Sequence, residues 1–150
     1  MDRALEAGGL SPSDVTPTLV NDFQAVSAAL STGAVDAAVV PQQFVVPLVN
    51  SGIATRWLLV GEIVPDMQIG VLVFSRNLMA NHKLAVRTMM AYLCGARDYT
   101  DAFFKDIGRD QVVQELIQAT SIKDPSLYDQ MSYATVDPNG KVNLANLHAS

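Results

Sequence analysis

Apolar and polar positions follow two rhythms along this chain, and the change between them falls near Phe74. Ala4, Leu5 and Ala7 before the Gly8-Gly9 pair read as the end of a helix with a glycine stop. A turn over residues 10–14 leads into a β-branched run at 15–20, which predicts a short strand, with Pro17 favouring an edge or a strand start. Asn21 and Asp22 are N-cap types. They introduce a helix that places Phe23, Val26, Ala29 and Leu30 on one face and closes at Gly33. Residues 35–40 are almost wholly apolar, the pattern of a buried parallel strand. A helix over 42–49, shortened or kinked by Pro47, ends at residues 50–52. Strands at 53–60 and 68–74 follow, separated by a loop over 61–66. Strand, helix, strand, helix, strand, strand is an α/β order.

From Ser75 onward the period becomes helical. Leu78, Leu84, Ala85, Met89, Tyr92 and Leu93 predict one long helix over 77–104, and Val112, Val113, Leu116 and Ile117 a second over 110–119. Asp124-Pro125 predicts the start of a short third helix, since proline suits the first helical position. Residues 136–143 carry a strong turn with no element after it to pack against.

Composition narrows the classes. A chain of 150 residues can bury one core but not two full ones. Its net charge of −5 offers no basic footprint for nucleic acid, and its apolar runs are too short to span a bilayer. Cys94 is the single cysteine, so neither an intrachain disulfide nor a zinc knuckle can form, and Cys94 itself is expected to be a small core residue. His82 and His148 have no metal-ligand spacing to one another, and no nucleophile elbow, phosphate loop or dinucleotide glycine pattern occurs. No catalytic residue, metal or cofactor is therefore expected. The first ten residues lack an apolar targeting core, and the opening helix is too short to nucleate alone. Both features fit a C-terminal piece whose start lies upstream; a cytosolic protein is the other reading.

Three segments carry a resemblance. They are residues 6–15, the block Ala28-Ala-Leu-Ser-Thr-Gly-Ala-Val-Asp-Ala-Ala38 followed by Pro41, and residues 91–103. Together with residues 137–143 they resemble the substrate-binding proteins for nitrate, sulfonates, taurine and thiamine-pyrimidine precursors, which serve ABC importers. The resemblance implies a periplasmic-binding-protein-like α/β fold of type II. Residues 1–74 would form most of the second lobe, and 75–150 would be helices returning to a first lobe whose sheet the chain lacks. It also implies a periplasmic or extracytoplasmic setting, a small-molecule ligand and an ABC permease as partner. Nucleic acid and direct membrane insertion are not expected. Uncovered apolar helix faces would favour self-association.

Candidate contacts follow from the α/β order, because ligands sit outside the carboxyl ends of strands. Past Val40 the chain enters a helix at Pro41, where free amides favour an anion and Gln42 and Gln43 can donate or accept. Phe44 adds an apolar wall, although such aromatics, Trp57 included, are more often core. In the resembled fold the region of residues 65–68, leading into the last strand, lies near the crossover between lobes, which makes Asp66 and Gln68 a second candidate pair facing the cleft. Gly33 and Asp36 are expected to serve the helix-to-strand turn, Asp36 by bonding its free backbone donors. Two alternatives share the resembled fold: a thiamine-pyrimidine synthase-like enzyme, and a ligand-sensing regulatory domain.

Overall fold

The computed structural model describes residues 2–20, 22–64 and 69–144. It divides into two compact units. Unit 1 comprises residues 1–65 and 126–132, and unit 2 residues 66–125 and 133–150.

Unit 1 holds helices α1 (Asp2–Ala7), α2 (Phe23–Ser31), α3 (Gln42–Asn50), α4 (Val60–Ile63) and α8 (Leu127–Gln130). The Asp22 carboxylate accepts the Ala25 N–H at 2.7 Å and starts α2, as its residue type predicts. The first three helices end alike. The Leu10 N–H reaches back to the Leu5 carbonyl, Ala34 to Ala29 and Ile53 to Leu48, at 2.8, 2.9 and 3.0 Å. Each such bond closes over a glycine in the left-handed region, Gly9, Gly33 and Gly52, with φ near +70°. An added Cβ would meet nothing within 4 Å at these positions, but side-chain-bearing residues rarely adopt that left-handed backbone, so glycine is the residue that lets the helix stop there. Val46 and Leu48 of α3 and Tyr128 of α8 are buried, and the Asn50 amide donates to the Gln130 side-chain oxygen at 2.9 Å.

Unit 2 contains α5 (Arg76–Ala80), α6 (His82–Phe104) and α7 (Arg109–Ala119). The single helix expected over 77–104 is broken at Asn81, whose ψ of 78° is not helical. Asn81 instead caps α6 by accepting the Leu84 N–H at 3.2 Å, a local bond that competes with helix continuation. Ala102 of α6, 1% exposed, and Val113 of α7 are buried. The later chain folds back on α6. The Tyr99 hydroxyl donates to the Ala134 carbonyl at 3.0 Å, and Arg97 Nε donates to the Pro138 carbonyl at 3.1 Å. Phe103 and Tyr133 stack with centroids 3.9 Å apart, and the Arg109 guanidinium lies 5.0 Å from the Phe103 centroid. Asp137 holds the turn by accepting the backbone N–H groups of Asn139 and Lys141. The third predicted helix starts later than expected, capped at Ser126 rather than Asp124.

The predicted strands are the main correction. Among the described residues no strand is present. Residues 16–20, 36–40, 55–58 and 71–74 make no hydrogen bond among the described residues, and each stretch falls inside one of the four expected strands. Val60 instead begins α4, where the Glu62 carboxylate accepts the Leu59 N–H at 2.8 Å. The physical reason is that a helix closes its bonds within four residues, whereas a ladder needs a neighbouring strand. Here the backbone bonds seen between described residues outside the helices are short in range, as from Ala54 to Leu48 and from Ile107 to Asp101. The apolar side chains of these stretches are correspondingly open, with Leu19 95% and Val73 79% exposed. Trp57, expected in the core, is 75% exposed, and Cys94, expected to be a small core residue, is also exposed. Asp36 makes no hydrogen bond among the described residues, because the glycine-stop bonds already satisfy its turn.

Candidate functional site

The start of α3 is the place where the expected contact residues gather. Pro41 is its N-cap and carries no acceptor, so no side chain caps the helix, in contrast to α2, α5 and α6. The Phe44 N–H bonds to the Pro41 carbonyl at 3.0 Å, but the N–H groups of Gln42 and Gln43 have no partner among the described residues. Two backbone donors and the positive end of the α3 dipole are thus available at one point.

Beside it lies an open groove of about 270 Å³ between α2 and α3. Gln43 and Phe44 line it, with Ser27 and Ser31 opposite and Pro47 and Ser51 further along. Phe44 is half-buried against Phe23, with ring centroids 5.0 Å apart, so it is both a wall of the groove and a packing residue. The serine protons are committed. Ser27 Oγ donates to the Phe23 carbonyl at 3.3 Å, Ser31 Oγ to Ser27 at 2.7 Å and Ser51 Oγ to Leu48 at 3.1 Å. Their lone pairs face as acceptors, which leaves the Gln43 amide and the α3 N–H groups to supply donors. Gln42 Oε1 is buried with no hydrogen-bond partner among the described residues.

The groove therefore unites Gln43 and Phe44, with Gln42 at the head of the same helix. Asp66 and Gln68 lie outside the described residues. Sequence reasoning missed Ser27, Ser31, Pro47 and Ser51. Their signal was available as i, i+4 spacing, which puts 27 with 31 and 43 with 47 and 51 on one face of each helix. Among the described residues no cluster of His, Cys, Asp and Glu is placed to hold a metal ion, and no helix is long and apolar enough to cross a membrane.

The model of the NMT1-like family matches residues 1–119. No curated protein and no solved structure matches the chain.

Proposed function

The chain belongs to the NMT1-like family, and on that premise we propose that it is the solute-binding component of an ABC importer, or the part of one that carries the second lobe. The family match across residues 1–119 is the observation that carries this reading, and the uncapped start of α3 supports it. The ligand is a small organic or anionic nutrient, in the class of sulfonates, taurine, nitrate or pyrimidine precursors. Its anionic or carbonyl end meets the free Gln42 and Gln43 amides, and its apolar body lies along Phe44 and Pro47. Asp66 and Gln68 are the second contact pair of this proposal. Capture proceeds by hydrogen bonding and lobe closure, with no bond made or broken, in a periplasmic or other extracytoplasmic compartment, and delivery is to the importer's permease.

The groove is open on one side, so binding to this chain alone is expected to be weak, roughly millimolar. A titration of the isotope-labelled chain with taurine, an alkyl sulfonate, nitrate and an aminopyrimidine, followed by amide NMR, tests the reading. The expected result is a saturable shift of the Gln42, Gln43 and Phe44 amides with at least one of the four, lost in Gln43→Ala. Shifts scattered over α6 and α7, or none at the start of α3 with any of them, would overturn it.

A further inference from the structure

Residues 137–141 form a turn held entirely within unit 2. The Gly140 N–H donates to the Asp137 carbonyl at 2.9 Å. The Asp137 carboxylate accepts the backbone N–H groups of Asn139 at 2.8 Å and of Lys141 at 3.2 Å. Arg97 Nε ties the same turn to α6 by donating to the Pro138 carbonyl. Gly140 lies in the left-handed region, at φ +71°, and a Cβ built on it would come within 2.9 Å of Leu93 Cδ2 on α6. Both the backbone conformation and the close approach to α6 therefore require glycine here.

That requirement has a chemical consequence for the residue before it. Of the asparagines in the chain, only Asn139 precedes a glycine. Every other is followed by a residue whose side chain hinders approach to the next backbone nitrogen. The Asn139 side chain is exposed and makes no hydrogen bond among the described residues. Its carboxamide carbon and the Gly140 nitrogen are thus neighbours in the chain with no bulk between them. The turn is what restrains them, because the Gly140 N–H is committed to Asp137 and must be released before its nitrogen can react. An exposed turn held by a few bonds opens at small free energy.

We propose that Asn139 is a site of spontaneous deamidation, gated by the Asp137 turn, and that the modification loosens the turn from α6. The Gly140 nitrogen, its proton given to solvent, attacks the Asn139 side-chain carbonyl carbon. That C–N bond forms, the carboxamide C–N bond breaks, and the nitrogen leaves as ammonia, taking a proton back from solvent. Water then opens the cyclic imide. Cleavage at the side-chain carbonyl leaves an aspartate in an ordinary peptide, and cleavage at the backbone carbonyl leaves an isoaspartyl link through the side chain. Either product sets a second carboxylate beside that of Asp137, where like charges repel. The isoaspartyl link also adds a methylene to the backbone of the turn and draws the Lys141 N–H off the Asp137 carboxylate.

Peptide mapping by mass spectrometry, on the whole chain aged at mildly alkaline pH with and without urea, tests this. Asn139 is expected to convert before any other asparagine, roughly tenfold more slowly in the folded chain than in urea. Asp137→Ala should speed the folded chain by roughly threefold or more and leave the rate in urea unchanged. In the converted chain the Lys141 amide should lose protection from exchange while that of Val113 in α7 keeps it. Conversion of another asparagine first, or none at Asn139, overturns the proposal. So does a rate at Asn139 that neither urea nor Asp137→Ala raises, or a Lys141 amide equally protected after conversion. Should Asp137→Ala fail to fold, the urea comparison on the unaltered chain still decides.

Discussion

Unit 1 and unit 2 come from one chain yet consolidate by different means. Unit 2 is built on α6 and α7, whose backbone bonds are local, and it adds a stack of Phe103 and Tyr133 topped by Arg109. Among the described residues unit 1 has short helices joined by three of the four unbonded stretches, and its buried apolar side chains are Val46, Leu48 and Tyr128. The difference shows what each kind of element requires. A helix carries its own hydrogen bonds and needs only one apolar face covered, whereas an extended run owes every backbone group to a neighbour or to water. The candidate site falls in unit 1, on the region that is less consolidated. Low local stability at a binding site is a recurring arrangement, because closure on a ligand needs mobility.

Hydrogen exchange offers the largest contrast. In dilute solution the amides of residues 16–20, 36–40, 55–58 and 71–74 are expected to exchange at near-unprotected rates. The α6 amides beside Ala102 are slower by about two orders of magnitude or more. Equal protection in both sets would break the comparison. Removing the ring in Phe103→Ala deletes the half-buried stack and the seat of Arg109, and should cost unit 2 about 2–3 kcal/mol, read as a lower midpoint in urea. Enlarging a closed position in Ala102→Leu should cost ~1–3 kcal/mol through overpacking, again confined to unit 2. In unit 1, Gly33→Ala forces a side chain into the left-handed region and should cost about 1 kcal/mol, seen as fraying of α2.

The smallest effect is in pH. Burial, and then the neighbouring Tyr133, raise the Tyr99 pKa above its ordinary value of 10.0. The neutral phenol is thus favoured in the folded state, and its contribution is full below the ordinary value and lost as pH rises through the raised one. A thermal midpoint of unit 2 that falls from pH 10 upward, and no longer does so in Tyr99→Phe, is the expected outcome. Asp14 and Asp137 shift the other way. Hydrogen bonds from the Ser11 side chain and backbone lower Asp14, and those from the Asn139 and Lys141 backbone lower Asp137. Both carboxylates are fully exposed, so their effect is confined to acid: it is present above the ordinary carboxylate range and lost as pH falls through the lowered values.

What could be read from the sequence divides between local bonds and partners distant in the chain, in both units alike. Helix starts and stops were legible at Asp22, Gly33 and Gly52 because caps depend on a few adjacent residues. The strands were legible as composition but not as structure, since Val35 to Val40 states that a strand is favoured and not what lies beside it. The break at Asn81 was missed because apolar periodicity runs on through it, while one side-chain bond to Leu84 decides the outcome. For Trp57 and Cys94, an apolar residue type stood in for burial, and burial is set by partners the sequence does not show. At the site, Gln43 and Phe44 were found from the strand-end rule, although the strand itself is not formed. The serine wall opposite them was not, because its hydroxyls read as ordinary helix-surface residues.

The three glycine stops have a further consequence. Gly33 and Gly52 each release the chain shortly before an unbonded stretch, the Pro12–Asp14 turn does so after Gly9, and a helix takes hold of the chain again at the far end. Each stretch is thus a tether pinned at both ends rather than a free tail. Laying such a tether against a neighbour sacrifices far less chain freedom than recruiting a loose segment of the same length. The helices at either end thus set the departure and the slack of these stretches in advance.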